Sequence, residues 1–130
     1  MRFLLDVNVL VAHGLGHHSF HRRVELWLTS LQDATLLTCS ITELVFVRLL
    51  SSPSVGGLQI DRARQLLLAV KQSSHPAFSF IPDANDATFL PKWVATSRQT
   101  TDGHLLTLAQ SHDAQLATLD ARLPGAFLIP

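Results

Sequence analysis

Asp6, Glu43, Asp102 and Asp120 are the residues of this chain whose types and spacing suit chemistry. "FLLDVNVLVA", residues 3 to 12, is apolar almost throughout, yet Asp6 and Asn8 lie inside it. An ionised carboxylate buried without partners is costly and tends to neutralise by raising its pKa. Each acid, read alone, has an ordinary structural role. Asp6 and Asp120 suit turns after strands. Glu43, in "SITE", fits a capping box in which Ser40 caps a helix and Glu43 reaches back to the cap amide. Asp102 suits the first turn of a helix, where the dipole favours an acid by a few tenths to about 1 kcal/mol. Read together, all four fall at strand ends or in the first turns of the helices that follow. In a doubly wound sheet those positions converge on one edge. Carboxylates gathered there repel one another, and a hard divalent cation relieves the repulsion. Carboxylate oxygens and water are the ligands that Mg²⁺ and Mn²⁺ take. Helix amides at the same edge favour a phosphate.

The elements that must position these acids follow from hydrophobic period and breakers. "RFLLD" reads as a short buried strand ending at Asp6. Residues 19 to 32 read as an amphipathic helix with Phe20, Val24, Trp27, Leu28 and Leu31 on one face. "ATLLTC" is a second strand, a helix runs from Ile41 to Leu50, and "SSPSVGG" ends it. A further helix runs from Asp61 to Gln72, and "AFSFI" is a third strand closed by Pro82. A short helix is expected from Asp86 to Ala95, and a longer one over residues 102 to 112. "AQLATL" gives a fourth strand and "AFLI" a fifth. Strands alternating with helices at this spacing predict an α/β fold with helices on both faces of a central parallel sheet of four to five strands. Sites in such sheets form beyond the carboxyl ends of the strands.

Composition bounds the function classes. The chain has 130 residues, which suits one domain spanning residues 1 to 130. Hydrophobic residues make up 47%, charged residues 15%, and mean hydropathy is +0.25, too apolar for a disordered chain. Formal net charge is zero, so no global basic field advertises nucleic-acid binding. With the four acids set aside at one site, ten Lys and Arg residues face the remaining six acids. Cys39 is the single cysteine and permits no internal disulfide, which suits a cytoplasmic protein. No apolar run reaches the roughly 18 residues of a membrane span.

Rival chemistries fit less well. His17 and His21 stand at i and i+4 in "HGLGHHSFH", a spacing seen in helical zinc sites, but a third ligand and an intervening Glu are lacking. An aspartyl-phosphate phosphatase needs a second Asp at position 8, where Asn8 stands. A phosphoacceptor receiver needs adjacent early acids and a late lysine, whereas the lysines are Lys71 and Lys92. Gly14-Leu15-Gly16 and Gly56-Gly57 lack the strand and helix context of a phosphate loop.

"LLDVNVLVA", "TELVFVRLLS" and "TTDGHLLTLAQSHDAQLATLDARL" resemble, in order, the acidic motifs of PIN-domain ribonucleases, specifically VapC-like toxins of toxin–antitoxin systems. The resemblance covers essentially the whole chain and is most specific over residues 101 to 122. It implies a three-layer α/β/α PIN-like fold in which Asp6, Glu43, Asp102 and Asp120 bind Mg²⁺ or Mn²⁺ and carry the catalysis. Asp6 and Asp102 would be the main ligands. Glu43 and Asp120 would complete the shell or position the attacking water. Asn8 and Thr118 would orient acids or substrate, and Arg98 could reach the scissile phosphate. Val7, where Thr or Ser is common, and Gly103-His104, in place of an Ala-aromatic pair, depart from the family pattern. The implied activity is hydrolysis of RNA phosphodiesters, in transfer RNA or another structured RNA. A cognate antitoxin protein and a homodimer are the implied partners, with Arg22, Arg23 and Arg48 as candidate RNA contacts. A non-catalytic PIN-fold binding or regulatory module is the alternative.

Overall fold

Five strands build the sheet: β1 (Arg2–Leu5), β2 (Thr35–Thr38) and β4 (Gln115–Thr118) at its centre, with β3 (Ala77–Phe80) at one edge and β5 (Phe127–Leu128) at the other. A computed structural model describes residues 1–130. The helices are α1 (Val7–Gly14), α2 (His21–Ser30), α3 (Ser40–Ser51), α4 (Ile60–Lys71) and α5 (Thr100–Ser111), the last entered through a 3₁₀ turn at Ser97–Gln99. All strand pairs are parallel and their order is β3-β2-β1-β4-β5. No helix is long and apolar enough to cross a membrane.

Side chains along a strand alternate between faces, and here both faces are covered. Phe3 and Leu5 enter a core with Val9 and Leu10 of α1, Val24 and Trp27 of α2, Phe46 and Leu50 of α3 and Ala63 of α4. Leu4, between them, enters the opposite core with Leu37, Leu116 and the α5 residues Leu105, Leu108 and Ala109. Each fully buried Leu or Phe contributes roughly 1.5–3 kcal/mol relative to exposure. That double burial, confined to β1, β2 and β4, is why these central strands read as apolar runs. It also pins register, because Leu4 sits opposite both Leu37 and Leu116. A slip of one residue would exchange the two faces.

Two expectations about the elements need correction. Residues 86–95 do not form a helix; they are turns and irregular chain. Asp86 Oδ1 accepts from the Thr88 amide at 2.8 Å, and Val94 N donates to the Pro91 carbonyl at 3.1 Å. Such local bonds compete with helical ones, and Pro91 has no amide to donate. Conversely, α1 was not expected. "VNVLVAHG" is apolar on nearly all sides and has no clear period, because Val9, Leu10, Val11 and Ala12 are all buried.

The turn after α3 depends on a glycine. Leu58 N donates to the Leu50 carbonyl at 2.9 Å, folding the chain back over the helix end. A Cβ on Gly56 would stand 2.3 Å from the Leu50 carbonyl oxygen and 2.8 Å from its Cα. Gly56→Ala is expected to lower stability by about 1–3 kcal/mol. A lower urea midpoint at unchanged m would register it; an unchanged midpoint would mean that the turn opens without strain.

Candidate active site

The strand order reverses direction between β1 and β4, and ligands in open α/β sheets collect at such a switch point, beyond the carboxyl ends. Asp6 follows β1 directly and Asp120 follows β4 by two residues. Thr118, the last residue of β4, joins them. Its hydroxyl donates to Asp6 Oδ2 at 2.7 Å and accepts from Asn8 Nδ2 at 3.2 Å and from the Asp120 amide at 3.1 Å. Asn8 completes the loop by accepting from the Leu119 amide at 3.2 Å. Asp6 also caps α1, with Oδ1 accepting from Val7 N at 2.7 Å.

Asp6 is only 6% exposed. Burial pushes its carboxyl above the ordinary 3.8, the bonds from Thr118 and Val7 hold it down in part, and the charges of Asp102 and Asp120 push it up again. Asp102, in the first turn of α5, is likewise raised by burial and then by Asp120, with Arg122 opposing. Asp120 goes the other way. Arg122 Nε and Nη2 donate to its two oxygens at 3.0 and 3.2 Å, and the Arg122 amide donates to Oδ1 at 2.9 Å, which holds Asp120 below its ordinary value. Asp102, Asp120, Arg98, Gln99, Trp93 and Arg122 line one cleft of about 330 Å³.

Glu43 sits in the first turn of α3, but it is not a capping-box residue. The cap is Cys39, one position earlier, and Thr42 Oγ1 accepts from its amide at 3.0 Å. Glu43 is thereby left to two other partners. The buried Thr38 hydroxyl donates to Oε2 at 2.5 Å, and Lys71 Nζ lies 3.0 Å from Oε1 and 2.8 Å from Oε2. Lys71 also stands 5.3 Å from the Phe80 ring centroid.

Three of the expected acids, Asp6, Asp102 and Asp120, therefore act on one another, with Asn8 and Thr118 holding the first. Glu43 is not among the charges that act on Asp6 or Asp102. No three His, Cys, Asp or Glu side chains stand close enough together to hold a metal ion as they are placed. Sequence reasoning missed Lys71 and Arg122. Arg122 had a signal, since Asp-Ala-Arg in a turn lets the third residue fold back on the first; Lys71 had none.

The PIN domain family pattern matches residues 3–126 of the chain. The chain is 40% identical to Ribonuclease VapC29 of Mycobacterium tuberculosis over 136 aligned positions, covering 100% of this chain and 98% of that one. The chain belongs to the PIN domain family, among the VapC ribonucleases. Its fold also matches two solved VapC-containing structures. One is Mycobacterium tuberculosis VapC20, described as a Sarcin-Ricin loop cleaving toxin, with a TM-score of 0.72 and 14% identity, covering 98% of this chain and 99% of that one. The other is VapBC2 of Rickettsia felis bound to a promoter DNA fragment, with a TM-score of 0.64 and 17% identity over 98% and 97%. The three α/β/α layers expected of a PIN-like fold are thus present in this VapC-family chain, with five parallel strands.

Five of the seven histidines of this VapC-family chain, His13, His18, His21, His104 and His112, have hydrogen-bond partners within the chain. His13 on α1 pairs with Glu25 on α2, and His21 Nδ1 bonds the Ala12 carbonyl at 2.8 Å. His18 Nδ1 accepts from the Phe20 amide at 3.1 Å. These contacts staple the α1–α2 connection. Arg23 is also committed, with Nε donating to the carbonyls of Ile129 and Pro130 at 3.1 and 3.0 Å. His104, on α5, pairs with Asp83 and ties the segment after β3 to the helix that carries Asp102.

A folded-state pKa above the unfolded one means that the folded chain binds the proton more tightly. Stability therefore falls as pH rises from 3.8 through the raised value, and ionised Asp6 is a net liability at neutral pH. Without divalent cations, Asp6→Asn should withstand more urea than wild type near neutrality, with the gap closing as pH falls towards 3.8. Midpoints that coincide at every pH would contradict this. Thr118→Val should have the opposite effect, costing about 1–3 kcal/mol, because it strips a buried carboxylate of its donor.

Proposed function

We propose that this protein is a divalent-cation-dependent endoribonuclease, the toxin of a toxin–antitoxin pair, acting through a single domain. The observation that carries the reading is the group of three mutually repelling carboxylates, Asp6, Asp102 and Asp120, at the switch point of the sheet. Their donor chemistry fits Mg²⁺ or Mn²⁺, since every nearby ligand atom is a hard oxygen. Mg²⁺ commonly keeps several waters and takes one or two carboxylates directly, so a set that is not closed around one point suits it. Asp6 and Asp102 are the residues to hold it, because neither has a cation of its own and both have raised pKa values. When bound, such a cation supplies positive charge for the phosphate and an acidified water.

The chain's own residues do the positioning. Thr118, itself held by Asn8, fixes the carboxylate of Asp6 at the end of β1. Asp120, kept ionised by Arg122, and Glu43, held by Thr38 and Lys71, are acceptors for a proton of the attacking water. Arg98 lines the cleft beside Asp102 and is placed to meet a phosphate. Leu68 is 58% exposed and Phe80 48%, and both flank Lys71, which gives a protein partner an apolar seat next to the site. An antitoxin is the partner that reading favours, and a homodimer would extend the RNA-binding surface.

The testing experiment is cleavage of total cellular RNA by the purified, antitoxin-free protein with Mg²⁺ or Mn²⁺, beside EDTA and Asp102→Asn controls. Discrete products are expected, lost in EDTA and reduced at least about 100-fold by Asp102→Asn. Mapping the products would then distinguish transfer RNA from other structured RNAs. A folded protein that yields no product would favour the non-catalytic module, and the acids would revert to capping and turn roles.

A further inference from the structure

Arg122 lies against the acids without a task in that chemistry beyond holding Asp120. Its side chain is 90% exposed, yet it folds back over the Asp120 carboxylate with both Nε and Nη2. The turn does not require this. The Arg122 backbone amide already donates to Asp120 Oδ1 at 2.9 Å, and the Asp120 amide is held by Thr118 at 3.1 Å. An ion pair this exposed is screened by water and adds little to stability, so its guanidinium exchanges partners readily. A phosphate is a strong competitor, because guanidinium and phosphate match in a bidentate, charge-assisted geometry. The side chain borders the cleft that also holds Asp102, Arg98 and Trp93. With formal net charge zero over the whole chain, attraction for a polyanion has to be local, and Arg98 and Arg122 are the cations of that cleft.

We propose that Arg122 is an exchangeable clamp: in the free protein it holds Asp120, and when RNA enters the cleft it releases the acid and takes a backbone phosphate beside the bond to be cut. This rests on the ribonuclease reading above and deepens it. The exchange ties the two events together. Asp120 loses its counter-ion only when substrate has arrived, so the acid becomes available to water or cation at the moment it is needed. Arg122 is in this sense a positioning residue for Asp120 and a contact residue for RNA.

The test needs no turnover. Binding of a fluorescently labelled, mixed-sequence single-stranded oligoribonucleotide is followed by anisotropy in EDTA across a series of KCl concentrations. Each phosphate contact to a single strand contributes about −0.7 to the slope of log K against log salt. Arg122→Gln is expected to flatten the wild-type slope by about 0.7, Arg122→Lys to retain it, and Arg62→Gln, on the exposed side of α4 and outside the cleft, to leave it unchanged. In a separate titration without RNA, Arg122→Gln is expected to bind Mn²⁺ about three- to fivefold more tightly than wild type, since the competing cation is gone. An Arg122→Gln protein with the wild-type salt slope, or with wild-type Mn²⁺ affinity, overturns the clamp while leaving the ribonuclease reading intact. A wild-type protein with no salt-dependent RNA binding overturns both.

Discussion

A hydroxyl has one proton to give and two lone pairs to lend, and the Thr118 hydroxyl uses all three, on Asp6, Asn8 and the Asp120 amide. Its position follows from the sheet, because β1 and β4 lie side by side in parallel with Leu5 opposite Ala117. The ladder runs on past the strand, with Asp6 N donating to the Ala117 carbonyl at 2.9 Å. A one-residue slip in that register would move Thr118 to the other face and leave a buried carboxylate with a single backbone donor. The apolar packing on both faces of the sheet is therefore also what aims the acid. β-Branching keeps the threonine in few rotamers, so little entropy is lost when the three bonds form.

The electrostatics around this hub are asymmetric. Asp120 and Glu43 each have a basic partner within the chain, Arg122 and Lys71. Asp6 and Asp102 have none, and both carboxyls are raised, first by burial and then by neighbouring negative charge. The fold so holds an unmet demand for positive charge in one place and satisfies it in another. Desolvated, unpaired acids lower stability at neutral pH, and sites of this kind are commonly kept because function uses them.

The sequence revealed the alternating elements, the parallel sheet and the positions of the acids, because those depend on hydrophobic period and on strand ends. Asn8 and Thr118 were readable only through the family pattern, since nothing local announces a bond spanning 110 residues. α1 escaped notice because a helix buried nearly all round has no polar stripe to set its period. The segment from Asp86 to Ala95 misled because composition alone cannot reveal that Asp86 bonds Thr88 and closes a turn. "SITE" matched a capping box by spacing, yet Cys39 and Thr42 made the cap one position earlier and left Glu43 to Thr38 and Lys71. Arg122 and Lys71 were hidden for a different reason. Arg122 could be read only from its closeness to Asp120 in the turn, whereas the pairing of Lys71 with Glu43, 28 residues away, appears only in three dimensions.

The pairing of β1 with β4 carries a consequence for how the molecule comes into being at the ribosome. Asp6 leaves the exit tunnel early, whereas Thr118 and Asp120 are among the last residues synthesised of those that build the site. Until β4 is made, β1 has β2 alone beside it, and the buried acid lacks its threonine. Contacts of such long sequence separation form late and slowly. A nascent chain thus has no assembled site until β4 has paired with β1, and the carboxylate group and its threonine hub arrive in a single late step.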